Sequence, residues 1–228
     1  MSAIRTESLS VQYQRHIALK PLTVNIPAHQ ITAIVGPNGS GKSTALKAML
    51  GLIPASGRTY FKAKVGYMPQ HSSVDWTFPT TVKDVVLMGT YGSLGWFRRP
   101  GRAEKERAAR AAEQTGVSEL ADRQIGALSG GQRQRVFLAR TLAQAPDIYM
   151  MDEPFAGIDT ASEAAIMRVL TEDLAGKTRV IVHHDLETVR AVSDNVILLS
   201  DGQLVAAGPT EQALTRENLQ LAYHIPVG

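Results

Sequence analysis

The sequence predicts an α/β fold built on a parallel sheet. After residue 146, apolar strands at Ile148–Met151 and Arg179–Val182 flank a helix at Ala161–Leu174, and this alternation is typical of parallel strands joined by right-handed crossovers. A second observation lies upstream, where the apolar, β-branched strand Ile31–Val35 runs into a glycine-rich loop and then a helix over Ala45–Leu50. Both observations favour strands that are joined by helices.

The remaining elements follow from local patterns. Strand-like residues precede the glycine-rich loop, helical patterns dominate between about 80 and 145, and an Asp-Gly turn predicts a hairpin near the end. In chain order, we expect strands at Leu9–Tyr13 and Leu22–Ile26, helices at Thr81–Tyr91 and Ala103–Thr115, a third helix opened by Leu128–Gln132, a hairpin of Val196–Ser200 and Gln203–Ala207, and a helix at Thr210–Tyr223.

Composition narrows the functional class. The chain has 228 residues, 44% hydrophobic and 20% charged, which is ordinary for a globular protein. No apolar run approaches the roughly 18 residues of a membrane helix, and Met1–Glu7 lacks the apolar region of a signal peptide. The absence of cysteine excludes thiolate metal sites. A net charge of +3 without a long basic tract argues against a nucleic-acid partner.

The glycine-rich loop satisfies the P-loop pattern G-x-x-x-x-G-K-[ST]. Glycines let a backbone wrap closely around phosphate oxygens, and the helix that follows adds its N-terminal dipole. Lys42 is expected to reach the β- and γ-phosphates of a nucleotide, and the Ser43 hydroxyl to ligate Mg²⁺. Kinases, GTPases, motors and transporters share this loop. The residues predicted to bind the nucleotide are Gly36, Pro37, Asn38, Gly39, Ser40, Gly41, Lys42, Ser43 and Thr44.

A second glycine-rich helix start lies at Leu128–Arg135. Ser129 and Gln132 have the spacing of a capping box, in which each side chain bonds the backbone N–H of the other. Gly130 and Gly131 permit close approach of a ligand or another backbone. The pattern predicts a second helix N-terminus able to meet an anion, although the Ser-x-x-Gln spacing alone also fits a plain capped helix start.

On the five residues Leu128-Ser-Gly-Gly-Gln132, here called the signature, and on the order of its other motifs, the chain resembles the nucleotide-binding subunit of ATP-binding cassette (ABC) transporters. The resemblance covers essentially the whole chain. It implies a single cassette over residues 1–228, with a P-loop NTPase core containing a parallel sheet, an N-terminal antiparallel β-subdomain, and an inserted helical subdomain at about 80–145 that bears the signature. In this family two cassettes pack head to tail around ATP. Ser129, Gly130, Gly131 and Gln132 are therefore expected to bind the nucleotide held by a second copy.

The strand at 148–151 ends in Asp152 and Glu153 and resembles the Walker B strand. The resemblance implies that Asp152 organises Mg²⁺ and that Glu153 polarises the attacking water as general base. Without a P-loop upstream, the same residues would fit an exposed acidic strand end. Ala156-Gly-Ile-Asp159 resembles the D-loop, whose aspartate, Asp159, helps join two cassettes. The commoner family form is Ser-Ala-Leu-Asp, so the hydrogen bond that a serine would supply at 156 is missing here.

Three further residues are assigned by the resemblance. His184 precedes Asp185 and corresponds to the switch histidine that contacts the γ-phosphate, whereas His183 is expected to be a packed neighbour. Gln70 corresponds to the Q-loop glutamine, which touches Mg²⁺ and the attacking water and reports the γ-phosphate to the helical subdomain. Tyr13 corresponds to the aromatic that stacks on adenine, with a core tyrosine as the alternative.

Residues 70–89 resemble the branch that imports divalent transition metals into bacteria, chiefly manganese, then zinc or iron. This segment is expected to receive a cytoplasmic helix of the permease, so the metal is inferred through the permease. Trp76 and Phe78 suit anchors in such a groove, and simple packing is the alternative. Trp96 and Phe97 suit contact with the permease or with lipid headgroups.

These resemblances imply a set of cofactors and partners. The cofactors are ATP and Mg²⁺. The partners are a second cassette, integral membrane permease subunits and, indirectly, an extracytoplasmic metal-binding protein, with the chain peripheral on the cytoplasmic face of the inner membrane. The alternative is a cassette of an importer or exporter for a non-metal substrate. A DNA-repair ATPase of the same superfamily would insert a coiled coil between P-loop and signature, and the interval here lacks heptads.

Overall fold

The computed structural model describes residues 1–70, 78–94 and 98–225. The chain divides into two compact units, Met1–Lys64 with Gly176–Gly228, and Val65–Ala175. The strands are β1 (Ser2–Tyr13), β2 (His16–Leu22), β3 (Asn25–Pro27), β4 (Ile31–Val35), β5 (Ser56–Phe61), β6 (Val65–Met68), β7 (Ile148–Asp152), β8 (Thr178–Val182), β9 (Asn195–Ser200) and β10 (Gln203–Pro209). The α-helices are α1 (Lys42–Met49), α2 (Val82–Met88), α3 (Arg102–Gln114), α4 (Gly130–Ala143), α5 (Thr160–Arg168), α6 (Leu186–Val192), α7 (Thr210–Ala213) and α8 (Arg216–Tyr223).

The first unit contains an antiparallel sheet in which β1 pairs with β2, β3 and β5. The predicted strand Leu22–Ile26 is wrong, because the chain leaves β2 at Leu22 and enters β3 only at Asn25. The Thr6 side chain of β1 enters this break: Val24 N–H donates to the Thr6 hydroxyl at 3.0 Å, and that hydroxyl donates to the Leu22 carbonyl at 3.0 Å. The Val24 carbonyl still accepts from Thr6 N–H at 2.9 Å. The predicted strand Leu9–Tyr13 is the second half of β1.

A parallel sheet forms the centre of the same unit. β4 pairs in parallel with both β8 and β9, and β10 closes the edge antiparallel to β9. All five residues of β4 and of β8 are buried, as expected for central strands covered on both faces. The predicted parallel sheet and the predicted Asp-Gly hairpin are confirmed.

The terminal helix that the sequence predicts over Thr210–Tyr223 is two helices, α7 and α8. Leu214 ends the first, and the Thr215 hydroxyl accepts a hydrogen bond from Asn218 N–H at 3.2 Å to start the second. A side-chain cap of this kind satisfies one of the N–H groups that a new helix start leaves unpaired.

The second unit combines a parallel pair, β6 with β7, with the helices α2, α3, α4 and α5. The three helices α2 to α4 fall within the predicted helical stretch at about 80–145. The helix predicted at Ala161–Leu174 begins as α5 and continues as a π-helical turn over Val169–Asp173. Within the described ranges, no helix is both long and apolar enough to cross a membrane.

Candidate functional site

The P-loop joins β4 to α1 through glycines that no other residue could replace without strain. Gly36, Gly39 and Gly41 have φ angles of 147°, 81° and 93°, which favour glycine. A Cβ on Gly36 would lie 2.0 Å from the Leu199 carbonyl oxygen, and one on Gly41 would lie 2.8 Å from the Ala18 carbonyl oxygen. Around Gly39 there is no atom within 4 Å of such a Cβ. The loop is therefore packed tightly behind Gly36 and Gly41 and open at Gly39.

Lys42 is buried at the start of α1 with its ammonium group inside the loop. Its Nζ donates to the carbonyl oxygens of Gly36 at 2.9 Å and Pro37 at 2.8 Å, which offsets part of the cost of burying a charge. Gly41 supplies no side-chain cap, and no acidic residue lies in the first turn of α1. The helix dipole and this cation together make the loop attractive to an anion.

Ser40 is a predicted loop residue whose side chain is buried inside the loop. It is 2% exposed, and its hydroxyl finds no hydrogen-bond partner in the described part of the chain. An ideal Cβ on Gly36 would lie 2.7 Å from the Ser40 Oγ, so the side chain packs inside the loop. The Ser40 backbone is bonded within the chain, because its N–H donates to the Pro37 carbonyl at 3.1 Å and its carbonyl accepts from Gly202 N–H at 3.1 Å.

The carboxyl end of β8 carries two histidines of opposite character. His183 is buried, and burial together with the neighbouring His184 lowers the pKa of His183 to about 4. His184 is exposed, with its ring centroid 5.2 Å from that of His183. His183 N–H donates to the Ile34 carbonyl at 3.2 Å, so this strand end lies beside the end of β4 where the P-loop begins. The exposed His184 is thus the histidine available to a ligand at that edge.

Tyr13 ends β1 at the tip of the hairpin with β2. It is 48% exposed and pairs with His16. Two residues beyond His16 lies Ala18, whose carbonyl oxygen packs against Gly41 of the P-loop. The hairpin tip is therefore close to the start of α1, and an exposed tyrosine there is free of the core packing that was the alternative.

In the second unit, Asp152 and Glu153 follow one another at the end of β7 but differ in environment. Asp152 is 0% exposed, and burial together with the Asp152 charge raises the pKa of Tyr67 to about 12. Glu153 is partly exposed, and Gln70 Nε2 donates to its Oε2 at 2.7 Å. The predicted Q-loop glutamine and the predicted general base are therefore in direct contact.

The backbone of Glu153 is strained. Its φ of 51° lies in the left-handed region, which costs a non-glycine residue about 1–3 kcal/mol and often marks a functional site. The amide of Gln134 in α4 holds this backbone, donating to the carbonyl oxygens of Glu153 at 3.3 Å and Pro154 at 3.0 Å. The sequence patterns did not predict Gln134. Its position on the buried face of α4, where an apolar residue is expected, was the available indication.

The signature forms the predicted capping box. Gln132 N–H donates to the Ser129 hydroxyl at 3.3 Å, and Ser129 N–H donates to Gln132 Oε1 at 3.0 Å. A Cβ on Gly131 would lie 2.3 Å from the Ser162 hydroxyl and 2.6 Å from the Asp159 carboxylate. The signature and the D-loop therefore pack against each other within one chain.

Asp159 caps α5. It accepts from Ser162 N–H and from the Ser162 hydroxyl, both at 2.9 Å, and these bonds hold the pKa of Asp159 below its ordinary value. Gly157, one of the two departures from the common D-loop form, has a φ of 68°. Glycine suits that left-handed conformation better than the usual alanine would.

The predicted site residues are distributed over both units. The P-loop, Tyr13 and His184 belong to the first, and Gln70, Asp152, Glu153, the signature and Asp159 to the second. Phe78 is 62% exposed, whereas Trp76, Trp96 and Phe97 lie outside the described residues. Within the described ranges, no group of three or more histidine, aspartate or glutamate side chains is arranged to hold a metal ion.

Comparison with known proteins identifies the family. A family model described as ABC transporter matches residues 19–156. This chain belongs to the ABC transporter family. The predicted family and the predicted enzyme class, an ABC transporter ATPase, are thereby confirmed.

Individual relatives extend the match to nearly the whole ABC cassette. The zinc transport system ATP-binding protein TroB of Treponema pallidum (strain Nichols) is 51% identical, covering 97% of this chain and 86% of TroB. The manganese transport system ATP-binding protein MntB of Bacillus subtilis (strain 168) is 46% identical, covering 98% of this chain and 93% of MntB.

Solved structures agree with the fold. An inward-facing putative metal-chelate type ABC transporter matches with a TM-score of 0.89 at 30% identity, covering 99% of this chain and 90% of that one. A dimeric post-hydrolysis state of an ATP-binding cassette bound to ADP and phosphate matches with a TM-score of 0.80 at 27% identity, covering 91% of this chain and 99% of that one. The predicted ABC cassette fold, with a parallel sheet and an antiparallel β-subdomain, is confirmed.

Proposed function

We propose that this protein is the ATP-hydrolysing subunit of a bacterial importer for a divalent transition metal, with manganese as the first expected cargo and zinc or iron next. The observation that carries the proposal is the near-complete match to ATP-binding proteins named for manganese and zinc transport, at 46% and 51% identity. The resemblance of residues 70–89 to the metal-import branch agrees with it.

ATP binds at the P-loop, where backbone N–H groups and Lys42 meet the phosphates and Tyr13 stacks on adenine. The buried Lys42 ammonium, already turned toward the centre of the loop, supports this role. Tyr13 is supported by its exposure and by the closeness of its hairpin to Gly41.

The residues expected to hold Mg²⁺ are Ser43, Gln70 and Asp152. A hydroxyl, an amide oxygen and a carboxylate form an all-oxygen donor set, which fits this hard cation. When bound, Mg²⁺ would supply positive charge that neutralises phosphate oxygens. Asp152 is buried, and burial of Tyr67, followed by the charge of Asp152, raises the pKa of Tyr67. A carboxylate at this place supports a cation beside it.

Glu153 accepts the proton of the attacking water, while Gln70 and His184 orient that water and the γ-phosphate. The hydrogen bond from Gln70 to Glu153 supports a shared role, because it fixes the carboxylate in one orientation. The strained backbone of Glu153 also supports a catalytic role, because strain of this kind lowers stability and is often kept at functional sites.

The active form is a head-to-tail dimer in which Ser129, Gly130, Gly131 and Gln132 of each copy contact the nucleotide bound by the other, with Asp159 near the junction. Closure of this dimer on ATP moves the helical subdomains, and these move permease subunits at the cytoplasmic face of the inner membrane. The change requires that ATP bind the closed dimer more tightly than the open one. The solved dimeric cassette bound to ADP and phosphate supports the dimer.

Metal uptake in a deletion strain tests the proposal. Loss of the gene should abolish high-affinity uptake of radioactive manganese, the wild-type chain should restore it, and a Glu153→Gln chain should not. The chain should also co-purify with membrane permease subunits. Uptake unchanged for manganese, zinc and iron in the deletion strain would overturn metal import and leave the non-metal cargo as the explanation.

A further inference from the structure

The P-loop rests on a turn far away in the sequence. The hairpin of β9 and β10 turns at Asp201 and Gly202, with φ angles of 47° and 69°, as in a type I′ turn. Gly202 N–H donates to the carbonyl oxygen of Ser40 at 3.1 Å. The Gly202 Cα lies 3.5 Å from where a Cβ on Gly41 would be. The turn therefore contacts the loop at the residues that lead into α1.

The same glycine is also tied to β2. Its carbonyl oxygen accepts a hydrogen bond from Lys20 N–H at 2.7 Å. A Cβ on Gly202 would lie 2.8 Å from the Ala18 carbonyl oxygen and 3.3 Å from the Leu19 Cα. Gly202 thus bridges β2 and the P-loop through both sides of its backbone, in a space that admits no side chain.

The turn is fixed from its outer side as well. Asp201 pairs with His224 at 3.2 Å, and the Ser200 hydroxyl donates to the Ala222 carbonyl at 2.7 Å. Both partners lie at the end of α8. The turn is therefore bonded to the P-loop and β2 on one side and to the end of α8 on the other, and these contacts restrict its movement.

A loop with three glycines at positive φ has unusually many alternative conformations to lose. Lys42 bonds the carbonyl oxygens of Gly36 and Pro37 from inside the loop, and Gly202 bonds the carbonyl oxygen of Ser40 from outside it. We propose that Gly202 is a positioning residue for nucleotide binding, which holds the P-loop in the conformation that presents its N–H groups to the phosphates. The inference rests on the proposed function of the P-loop as the ATP site.

Gly202→Ala tests it against a matched control, Gly176→Ala. Gly176 has a similar φ of 78°, but no atom lies within 4 Å of its Cβ position. Both changes therefore strain the backbone, and only the change at Gly202 pushes against β2 and so shifts the turn that bonds the loop. We expect Gly202→Ala to raise the ATP dissociation constant and KM about tenfold, the usual effect of losing a hydrogen bond, with kcat at saturation nearly unchanged. Gly176→Ala should lower the melting temperature without changing ATP affinity.

The outcomes separate the two proposals. If Gly202→Ala binds ATP as tightly as Gly176→Ala while both lose stability, Gly202 has only a structural role and the inference is overturned. If the wild-type chain itself fails to bind ATP, the proposed function falls instead.

Hydrogen exchange on the wild-type chain covers the case in which Gly202→Ala does not fold. ATP should slow exchange at the Gly202 amide, which bonds the loop, and leave the amide of Gly208 at the far end of the same hairpin unchanged. Equal slowing at both amides, or no slowing at Gly202, would overturn the inference.

Discussion

The two glycine-rich helix starts of this chain, at α1 and α4, satisfy their backbone in opposite ways. α1 begins after Gly41, which offers no side-chain cap, and its first turn carries no acidic residue. α4 begins after Ser129, and its capping box with Gln132 is complete within the chain. Since a helix start leaves N–H groups without intrahelical partners, α1 is built to receive an anion, whereas α4 partly satisfies itself.

This difference suits the two halves of a shared nucleotide site. In the proposed function the P-loop binds ATP within a single chain, and the buried Lys42 ammonium inside the loop suits that role. In the proposed dimer the signature would meet a nucleotide only when a second copy arrives, and the capping box satisfies the start of α4 in the single chain. In the proposed dimer the cap can stay in place, because the Ser129 hydroxyl that accepts from Gln132 N–H still has its own O–H to donate to phosphate.

The largest effect on ATP turnover is expected from Glu153→Gln, which removes the proposed general base and leaves both helix starts intact. Glu153→Gln should lower ATP turnover on the order of 10²–10⁴-fold, the range for loss of a general base. ATP binding should persist, and an ATP-bound dimer should accumulate, because hydrolysis no longer opens it. Phosphate release and size-exclusion chromatography with ATP measure the two effects. Glu172→Gln, an exposed substitution in the same unit, is the control, and wild-type turnover in Glu153→Gln would refute the assignment.

Substitutions at the two helix starts should separate binding from turnover. Lys42→Met removes the cation proposed to meet phosphate and should weaken ATP binding by about 10- to 150-fold, the equivalent of one charged hydrogen bond. Ser129→Arg should lower turnover, by less than Glu153→Gln does, but leave the ATP affinity of the monomer unchanged, because its own P-loop is intact. Titration with a fluorescent ATP analogue tests both, with Lys47→Met in the last turn of α1 as control. A loss of monomer affinity in Ser129→Arg would contradict the division of labour between α1 and α4.

On acidification, the contribution of His183 to the stability of the first unit should be lost at a higher pH than the contribution of Asp159, beside the signature, to the second. The pKa of His183 falls from 6.5 to about 4 on folding, chiefly through burial, so its contribution to stability is present above pH 6.5 and is lost as the pH falls toward 4. Asp159, beside the signature, has its pKa lowered from 3.8, so its contribution is lost only below that value. Between about pH 7.5 and about pH 5, His183 should cost the wild-type chain up to about 2 kcal/mol.

Urea unfolding at these two pH values tests the expectation. His183→Gln should reduce the pH dependence, whereas His184→Gln, at the exposed neighbour, should retain it. If the free energy of unfolding depended on pH equally in the wild type and in His183→Gln, protonation of the buried histidine would not be the cause of the loss of stability in acid.

Local patterns predicted the elements that local chemistry determines. β4 has the predicted bounds, and the capping box of α4 forms as its spacing indicated, because glycine conformations and side-chain caps depend on near neighbours in sequence. The break between β2 and β3 was not predicted because it depends on Thr6, which lies in another strand. The start of α8 at Thr215 was missed although its cap is local, because apolar residues continue the helical pattern across it.

The candidate site shows the same limit. Each motif was recognisable by its own residues, but the contact of Gln70 with Glu153 joins positions 83 residues apart. The support that Gln134 gives to the backbone of Glu153 also depends on packing, as does the bridge from Gly202 to the P-loop. No spacing rule encodes these contacts, so the sequence patterns predict the candidate reacting groups, and the structure adds the residues that contact them.

The smallest effect should come from the cap itself. Ser129→Ala removes the hydroxyl that accepts from Gln132 N–H and should lower the free energy of unfolding by about 1 kcal/mol, with no change in ATP affinity of the monomer. Ser129→Thr should restore most of that loss, and Ser118→Ala, an exposed serine in the same unit, should be neutral. Urea denaturation measures all three variants. If Ser129→Ala were as stable as the wild type, the capping box would contribute nothing to the folded monomer, and the contrast between a self-satisfied α4 and an open α1 would fail.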